Sequence, residues 1–364
     1  MTENRLKIVF LLNCFDISGV ETIIAKTIRG LDPDRYDIRA IALQRRSGAL
    51  ADLLSPLGVH CVDVDVRSRF DFRALYRLAR LIRGADVLHT ATFHAHILGR
   101  LLGRFLGVPV ILGSEVIMAF ETPLRLALNR WTAWIPSYLI CNAEAVRRYV
   151  IDTLKVPADR AVTVYQGVNV EAYPFRRERR FAHPVLGTVG RLQSQKGYRY
   201  LIEAAVIVRR THANARWIWI GDGPERPQVE ELISMNGLDG VIELAGYSGD
   251  MAENLTRFDY YVHPAIAEGM PYAVVEAMAA GLPVVATDVG GTRELVEHGV
   301  SGFVVPPSDP ETLAANILAL LEDPEGARRL GVAARERIRL HFPEGNMAEE
   351  EDRLIRQCFS AHRG

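Results

Sequence analysis

One short segment places two cations and two glycines between a predicted strand and a predicted helix. Residues 190–197 read Gly-Arg-Leu-Gln-Ser-Gln-Lys-Gly and include Arg191 and Lys196. The chain has only four lysines among its 43 basic residues, so a lysine at this turn invites a specific explanation. An arginine offers a planar fork of donors and a lysine offers a compact charge, and together they suit a diphosphate. A solvated loop with incidental charges is the alternative.

A second segment, residues 268–281, is predicted to lead from a turn into a helix. Pro271 suits the first turn of a helix because the ring lacks an N–H that the helix would leave unbonded. The free backbone N–H groups of Gly269, Met270 and Tyr272 would then face outward at the positive end of the helix dipole. Such an end binds an anion or a sugar hydroxyl.

The same segment contains two glutamates. Glu276 lies among apolar residues of the predicted helix, where a carboxylate must be paired or must bind something. If the segment is helical throughout, Glu268 and Glu276 lie about 12 Å apart along the axis, too far for the carboxylate pair of a retaining hydrolase. This spacing favours two contacts to one elongated ligand. A core helix whose glutamate caps a neighbouring loop is the alternative.

Apolar strand-like runs alternate with helical patterns along the whole chain, which predicts parallel sheets covered on both faces. The predicted strands are 7–12, 37–43, 59–64, 86–89, 108–112, 138–141, 185–190, 216–221, 241–245, 260–263, 283–286 and 302–305. The predicted fold class is α/β, with two tandem Rossmann-like, doubly wound parallel-sheet domains facing a central cleft. Ligands of such sheets bind at the carboxyl ends of the strands.

The alternation is interrupted once. A polar, proline-bracketed stretch at 169–184 is predicted to be a linker between domains at 1–168 and 185–345. The final segment, 346–364, is predicted to form a helix that packs back on the N-terminal domain.

The motifs of the second half resemble the donor domain of glycosyltransferase family 4. The resemblance is dense over about 185–310 and is carried by Gly-Arg-Leu-x3-Lys-Gly (190–197), Gly-Asp-Gly-Pro (221–224), Glu-Gly-Met-Pro-x4-Glu-Ala-Met-Ala-x-Gly-Leu-Pro-Val-Val-Ala-Thr (268–287) and Gly290-Gly291. Before 185 it rests on topology, the Gly19-Val20-Glu21 turn and a His-rich segment. Family 4 comprises retaining, metal-independent enzymes of the two-Rossmann (GT-B) architecture. The resemblance therefore implies an acceptor-binding domain followed by a nucleotide-sugar-binding domain.

The resemblance also implies a role for each matching residue. Arg191 and Lys196 would hold the donor diphosphate and stabilise the departing nucleoside diphosphate, and Glu276 would accept the ribose hydroxyls. Glu268 would contact the transferred sugar together with backbone amides. The other donor-binding residues of the second half would be Gly190, Gly246, Tyr247, Gly269, Met270 and Pro271, with Gly246 and Tyr247 bordering the base.

Three residues of the first half are further candidates. Gly19 follows the first strand, where a glycine permits close approach of the backbone to a ligand. His94, at a helix start beyond a strand, matches a histidine that family members place near the transferred sugar, with a structural histidine as the alternative. Glu115 follows a strand where an acceptor could be contacted, with a capping or surface role as the alternative.

Composition limits the class of protein. The 364 residues are 49% hydrophobic and 24% charged, as expected for a globular protein of about two domains. No apolar run reaches the ~18 residues of a membrane span, and the apolar run at 7–12 lacks a signal-peptide cleavage site. Four scattered cysteines argue against a zinc ribbon and a disulfide framework and indicate a reducing compartment. The predicted location is cytoplasmic.

Charge is distributed unevenly along the chain. Residues 1–180 carry an excess of eight positive charges and the remainder an excess of nine negative charges. The arginines at 73, 77, 80 and 83 share one face of a predicted helix. These features suggest peripheral contact with an anionic membrane, on the inner face of the cytoplasmic membrane, with a solvated surface helix as the alternative. Basic and aromatic residues are not interleaved as in nucleic-acid-binding proteins, so nucleic acid is not an expected partner.

The sequence thus predicts a retaining glycosyltransferase that uses a nucleoside-diphosphate sugar in polysaccharide or glycolipid biosynthesis. The acceptor would be a carbohydrate or lipid-linked. No cofactor and no metal are expected, because two cations and a helix N-terminus can neutralise a diphosphate. A sugar-nucleotide epimerase of the same fold and a non-catalytic sugar-nucleotide-binding protein are the alternatives.

Overall fold

The computed structural model divides into two compact units. Unit 1 comprises residues 1–166 and 345–364, and unit 2 comprises residues 167–344. The structure describes residues 5–16, 19–45, 48–68, 71–116, 122–175 and 183–363. Residues 176–182 of the predicted linker lie outside the described residues, and residues 169–175 belong to unit 2.

Unit 1 is built on a seven-stranded parallel sheet. Its strands are β1 (Leu6–Leu12), β2 (Tyr36–Ala42), β3 (His60–Asp63), β4 (Val87–Ala91), β5 (Val110–Glu115), β6 (Tyr138–Cys141) and β7 (Ala161–Thr163). Their order in the sheet is β3-β2-β1-β4-β5-β6-β7. The sequence predicted the first six strands and missed β7, since three residues are too few for an apolar pattern to be recognised.

Helices of unit 1 cover both faces of this sheet. Those before residue 167 are α1 (Gly19–Gly30), α2 (Ala49–Leu54), α3 (Phe72–Ile82), α4 (Phe93–Phe105), α5 (Pro123–Thr132) and α6 (Glu144–Asp152). Residues of α1 and α2 share one apolar core with β1, and residues of α3 and α4 share another with its opposite face. A side-chain cap starts α3, where Asp71 accepts a hydrogen bond from the N–H of Ala74.

Unit 2 repeats this topology with six strands. They are β8 (Val185–Val189), β9 (Arg216–Ile220), β10 (Ile242–Gly246), β11 (Tyr260–His263), β12 (Val284–Thr287) and β13 (Phe303–Val305), in the order β10-β9-β8-β11-β12-β13. Its helices are α7 (Tyr198–Arg209), α8 (Arg226–Met235), α9 (Met251–Leu255), α10 (Tyr272–Ala279), α11 (Thr292–Leu295), α12 (Pro310–Glu322) and α13 (Pro324–His341). The predicted doubly wound α/β class is confirmed for both units.

The start of α10 corrects one expectation. Pro271 is the residue before the helix, and its ψ of 88° is not helical. Residues 268–271 therefore form the predicted turn, so the separation of about 12 Å, which required a helix throughout, does not apply to Glu268 and Glu276. The two carboxylates are not separated by eight helical steps.

The last helix belongs to unit 1. This helix, α14 (Asn346–Arg363), packs against α1 and contributes Leu354 and Ile355 to the unit 1 core. Its buried Glu351 lies 2.5 Å from Nδ1 of His89, whose Nε2 lies 2.7 Å from the hydroxyl of Ser114. A polar contact thus reinforces the apolar packing between α14 and the sheet.

Candidate active site

The turn after β8 is fixed by contacts with the loop after β11. Residues 194–196 form a single 3₁₀ turn, and Gly197 follows with a φ of +68°. A Cβ at Gly197 would lie 2.0 Å from the carbonyl oxygen of Pro264, so only glycine fits there. The N–H of Ile266 donates to the carbonyl of Gln195 at 2.9 Å. The two loops are therefore held side by side, which brings Lys196 to Glu268.

Lys196 and Glu268 form an ion pair at this place. The Glu268 side chain is 11% exposed and the Lys196 side chain is 25% exposed. Burial alone would raise the pKa of Glu268, but the Lys196 charge and the neighbouring His263 together lower it to about 2. The carboxylate is therefore ionised, and the ammonium group beside it keeps access to solvent.

His263 is a member of this cluster that the sequence analysis did not single out. It is the last residue of β11, is 1% exposed, and its Nε2 lies 3.3 Å from Oε1 of Glu268. Within the described residues neither ring nitrogen makes a hydrogen bond of good geometry. Burial lowers the pKa of His263, although Glu268 opposes the shift. The imidazole is therefore neutral. The position of His263 at the carboxyl end of a strand is the feature of the sequence that could have identified it as a site residue.

The amino end of α10 lies beside the same cluster. Gly269, Met270 and Pro271 are buried. Gly290 has a φ of +53°, and a Cβ there would lie 2.2 Å from the carbonyl oxygen of Gly269. The N–H of Gly291 donates to that carbonyl at 2.6 Å. The Gly290-Gly291 turn thus supports the backbone that leads into α10, where the helix dipole favours an anion.

Glu276 has a partner in the structure. The hydroxyl of Tyr173 donates to Oε1 of Glu276 at 2.9 Å. Burial raises the pKa of Tyr173, and the charge of Glu276 raises it further, so this hydroxyl remains a neutral donor. The contact agrees with the alternative in which Glu276 holds a neighbouring loop. It also orients the carboxylate that the resemblance assigns to the ribose.

The remaining predicted residues of unit 2 follow the neighbouring strands. Gly190 and Arg191 follow β8, and Arg191 is exposed, with no hydrogen bond or ion pair to any residue in the described ranges. Gly246 ends β10 with a φ of +77°, and its carbonyl accepts from the N–H of Gly221. Tyr247 is 67% exposed. The structure therefore brings these residues to the same edge of the sheet as the Lys196–Glu268 pair.

In unit 1 the predicted residues lie at helix starts. Gly19 is the first residue of α1, and His94 is the second residue of α4; both are exposed. Partial burial and the nearby Arg125 guanidinium lower the pKa of His94, so its ring is neutral near pH 7. Since β1 and β4 are neighbours in the sheet, both residues follow the carboxyl ends of adjacent strands.

Glu115 is paired inside unit 1. It lies 3.3 Å from a guanidinium nitrogen of Arg100, which is completely buried in α4. Arg100 also donates to Asn129 at 2.6 Å and to Thr132 at 3.3 Å. Nε2 of buried His96 lies 3.5 Å from Glu115. The capping and surface interpretations of Glu115 are thus wrong, because the carboxylate is the counter-charge of a buried arginine.

Uncharged polar atoms follow three strands of the unit 1 sheet. Buried side-chain atoms without a hydrogen-bond partner among the described residues include Asn13 Oδ1, Thr92 Oγ1, Asn142 Oδ1 and Gln166 Nε2 of unit 1. Asn13, Thr92 and Asn142 directly follow β1, β4 and β6. Thr92 has a φ of +78°, an unusual conformation for a β-branched residue. The edge thus offers neutral hydrogen-bonding groups.

The described ranges contain neither a metal-ligand cluster nor a membrane-spanning helix. No three His, Cys, Asp or Glu side chains form a group there that could hold a metal ion. No helix of the described chain has the length and apolar character needed to cross a membrane.

Comparison with known proteins gives consistent similarities. The model of the family described as "Glycosyl transferases group 1" matches residues 183–323, and that of "Glycosyltransferase Family 4" matches residues 17–172. The chain is 25% identical to UDP-Gal:alpha-D-GlcNAc-diphosphoundecaprenol alpha-1,3-galactosyltransferase of Escherichia coli, over 88% of this chain and 89% of that protein. It is 28% identical to alpha-D-kanosaminyltransferase of Streptomyces kanamyceticus, over 69% and 70%. Its fold is similar to that of Anabaena HepE in complex with UDP-glucose, with a TM-score of 0.84, 22% identity and coverage of 98% and 100%.

Proposed function

We propose that this chain, which belongs to the group 1 and family 4 glycosyltransferases, transfers a sugar from a nucleoside diphosphate to an acceptor. The transfer proceeds with retention of anomeric configuration and without a metal ion. The observation that carries the proposal is the cluster of Lys196, Glu268 and His263 beside the amino end of α10. This cluster combines a cation, an ionised carboxylate and a helix dipole at the carboxyl edge of a Rossmann sheet.

The diphosphate is the group that this charge arrangement suits best. Arg191 has its guanidinium in solvent, and Lys196 keeps solvent access while paired with Glu268. Both cations flank the same turn, and the dipole of α10 adds positive potential. Together they neutralise the charge that develops on the departing nucleoside diphosphate, which a divalent metal does in other enzymes.

The rest of the donor is assigned to the neighbouring residues. Glu276, oriented by Tyr173, accepts hydrogen bonds from the ribose. Exposed Tyr247 borders the base. Glu268 contacts hydroxyls of the transferred sugar with its second oxygen, since Lys196 and His263 both lie against Oε1. The amides of that turn complete the sugar site.

Transfer then requires one bond exchange. The bond between the anomeric carbon and the diphosphate oxygen breaks, and the acceptor oxygen forms its bond on the same face. The acceptor proton passes to the departing phosphate oxygen, so no protein nucleophile is needed. His94, kept neutral by partial burial and Arg125, accepts or donates a hydrogen bond at the transferred sugar.

Unit 1 binds the acceptor in this proposal. Asn13, Thr92 and Asn142 offer hydrogen-bonding atoms without partners in the described chain, and these suit the hydroxyls of a carbohydrate. The name of the E. coli relative specifies a sugar linked to diphosphoundecaprenol. A glycan intermediate, free or linked to a lipid in polysaccharide or glycolipid biosynthesis, is therefore the proposed acceptor class, with transfer at the cytoplasmic membrane surface.

Incubation of the purified protein with candidate sugar nucleotides and glycan acceptors in EDTA tests the proposal. We expect release of nucleoside diphosphate and a glycoside whose anomeric configuration matches the donor, as read by NMR. A strict requirement for a divalent metal, or an inverted product, would contradict the mechanism. An epimerised sugar nucleotide formed without acceptor would indicate an epimerase. Binding without turnover on any acceptor would indicate a sugar-nucleotide sensor.

A further inference from the structure

Helix α5 has its polar side turned inward. Its buried residues include Asn129 and Thr132, which bind the buried arginine of α4. Its exposed side presents Leu124, Leu128 and Trp131, with exposures of 71%, 37% and 64%. These three residues are spaced by four and three positions, so they lie along one face of the helix. The arrangement is the reverse of that of an ordinary surface helix, whose apolar stripe faces the core.

The neighbouring helices extend this exposed apolar surface. Helix α4 packs against both α3 and α5. More than half of the large hydrophobic side chains that are exposed in the described chain lie on or beside these three helices: Phe72, Tyr76, Leu101, Phe105, Leu124, Leu128, Trp131 and Trp134. We call this set, with the arginines between them, the α3–α5 face. Exposed apolar patches of this kind mark an interaction site.

The charge of the α3–α5 face has one sign. Its exposed arginines on the helices are Arg73, Arg77, Arg80, Arg104, Arg125 and Arg130. No aspartate or glutamate occurs within α3, α4 or α5, all of whose residues the structure describes. Five of these arginines, all except Arg125, have no ion-pair partner among the described residues. The guanidinium of Arg125 lies over the ring of Phe93. The partner of this face is therefore anionic.

We propose that the α3–α5 face docks on the surface of an anionic lipid bilayer. Tryptophans prefer the interface between headgroups and acyl chains, and each arginine near an anionic leaflet adds attraction. A second copy of the chain fits less well, because its face would bring the same arginines together. The inference deepens the proposed membrane contact and places its centre on α5, whereas the sequence predicted it at the arginines of α3. It does not depend on sugar transfer.

The four tryptophans of the chain make a direct test available. Trp217 and Trp219 are buried in the core of unit 2, whereas Trp131 and Trp134 are exposed. Vesicles of phosphatidylglycerol mixed with phosphatidylcholine should shift the emission of the full chain to the blue. Brominated acyl chains in such vesicles should quench it. Unchanged emission, or equal binding to phosphatidylcholine alone, would overturn the proposal.

Matched variants separate the apolar and the charged contributions. Trp131→Ser with Trp134→Ser, and separately Arg77→Glu with Arg80→Glu and Arg104→Glu, should each lower vesicle co-sedimentation by about tenfold or more. Met235→Ser and Arg216→Glu are exposed positions of unit 2 and should have no effect. Circular dichroism and thermal unfolding confirm that each variant is folded.

The outcome is distinguishable from a failure of the proposed function. Transfer to a soluble acceptor analogue should persist in all these variants, because none of the substituted residues is placed at the donor or acceptor site. Vesicle binding that survives both sets of substitutions would refute the docking surface. Loss of a dimer on size-exclusion chromatography in the tryptophan variant, without any lipid dependence, would assign the face to a second copy of the chain.

Discussion

The two sheets share one strand order but carry different chemistry at their carboxyl edges. In unit 2 the cation of Lys196 is paired with Glu268 and still reaches solvent. In unit 1 the cation of Arg100 is fully buried and is paired with Glu115. The first pair is accessible to a ligand, and the second is part of the core.

The difference follows from where each cation originates. Lys196 lies in a loop between a strand and a helix, and the glycine after it lets the loop approach the next strand's loop. Arg100 lies in the second turn of α4 and points to Asn129 and Thr132 of α5. A loop cation can exchange its partner for a phosphate. A helix cation held by Asn129, Thr132 and Glu115 serves to fix α4, α5 and β5 to one another.

Removal of the buried cation should have the largest effect on stability. Arg100→Met leaves the carboxylate of Glu115 without its counter-charge, which typically costs about 3–5 kcal/mol. Urea unfolding should show this loss, and Arg100→Met with Glu115→Gln should recover part of it. Arg104→Met, one turn further along α4 and exposed, is the control and should change stability by less than about 0.5 kcal/mol. Equal stability of Arg100→Met and Arg104→Met would show that the buried pair is not structural.

Removal of the accessible cation should mainly reduce turnover. Lys196→Ala removes one of two cations from the departing diphosphate, so we expect a loss of about 2–4 kcal/mol of transition-state stabilisation, by comparison with other oxyanion donors. Arg191→Ala should lose a comparable amount without any loss of stability, since Arg191 has no partner in the described chain. Steady-state kinetics with a saturating acceptor measures both. The control is Lys155→Ala, which changes an exposed lysine of unit 1. Wild-type turnover in both Lys196→Ala and Arg191→Ala would refute the assignment of these two cations to the diphosphate.

The sequence predicted one side of this comparison better than the other. Lys196 and Glu268 belong to linear motifs whose spacing is visible, and the succession of strands and helices along the chain followed from the alternating apolar runs. Arg100 was not identified, because a buried arginine in an amphipathic helix has no local signature that separates it from surface arginines. The inward polar side of α5 was missed for the same reason: only the contact of Asn129 with Arg100 makes that side the buried one. His263 was missed because its role depends on a loop five residues later.

Acid should weaken the unit 2 cluster within a defined pH range. Because the pKa of Glu268 is lowered from 4.5 to about 2 in the folded chain, its contribution to stability is complete above pH 4.5. It is lost as the pH falls from 4.5 towards 2, and at about 1.4 kcal/mol per pKa unit it amounts to at most about 3 to 4 kcal/mol. Urea unfolding at pH 6 and pH 3.5 should show a smaller difference for Glu268→Gln than for the unchanged chain. An identical acid dependence would mean that Glu268 is not held ionised by Lys196.

The smallest expected effect concerns Glu276 and separates its two interpretations. Tyr173→Phe removes one hydrogen bond from a hydroxyl to a carboxylate, worth about 1.5 kcal/mol. If Tyr173 orients Glu276 for the ribose, the KM for the donor should rise about tenfold while kcat is retained, because the ribose contact is the same in the ground state and the transition state. If Glu276 only holds the loop of Tyr173, stability should fall by the same amount with the KM unchanged. The control is Tyr200→Phe, because the hydroxyl of this α7 tyrosine makes no hydrogen bond in the described chain. An effect of Tyr173→Phe on kcat alone would contradict both interpretations.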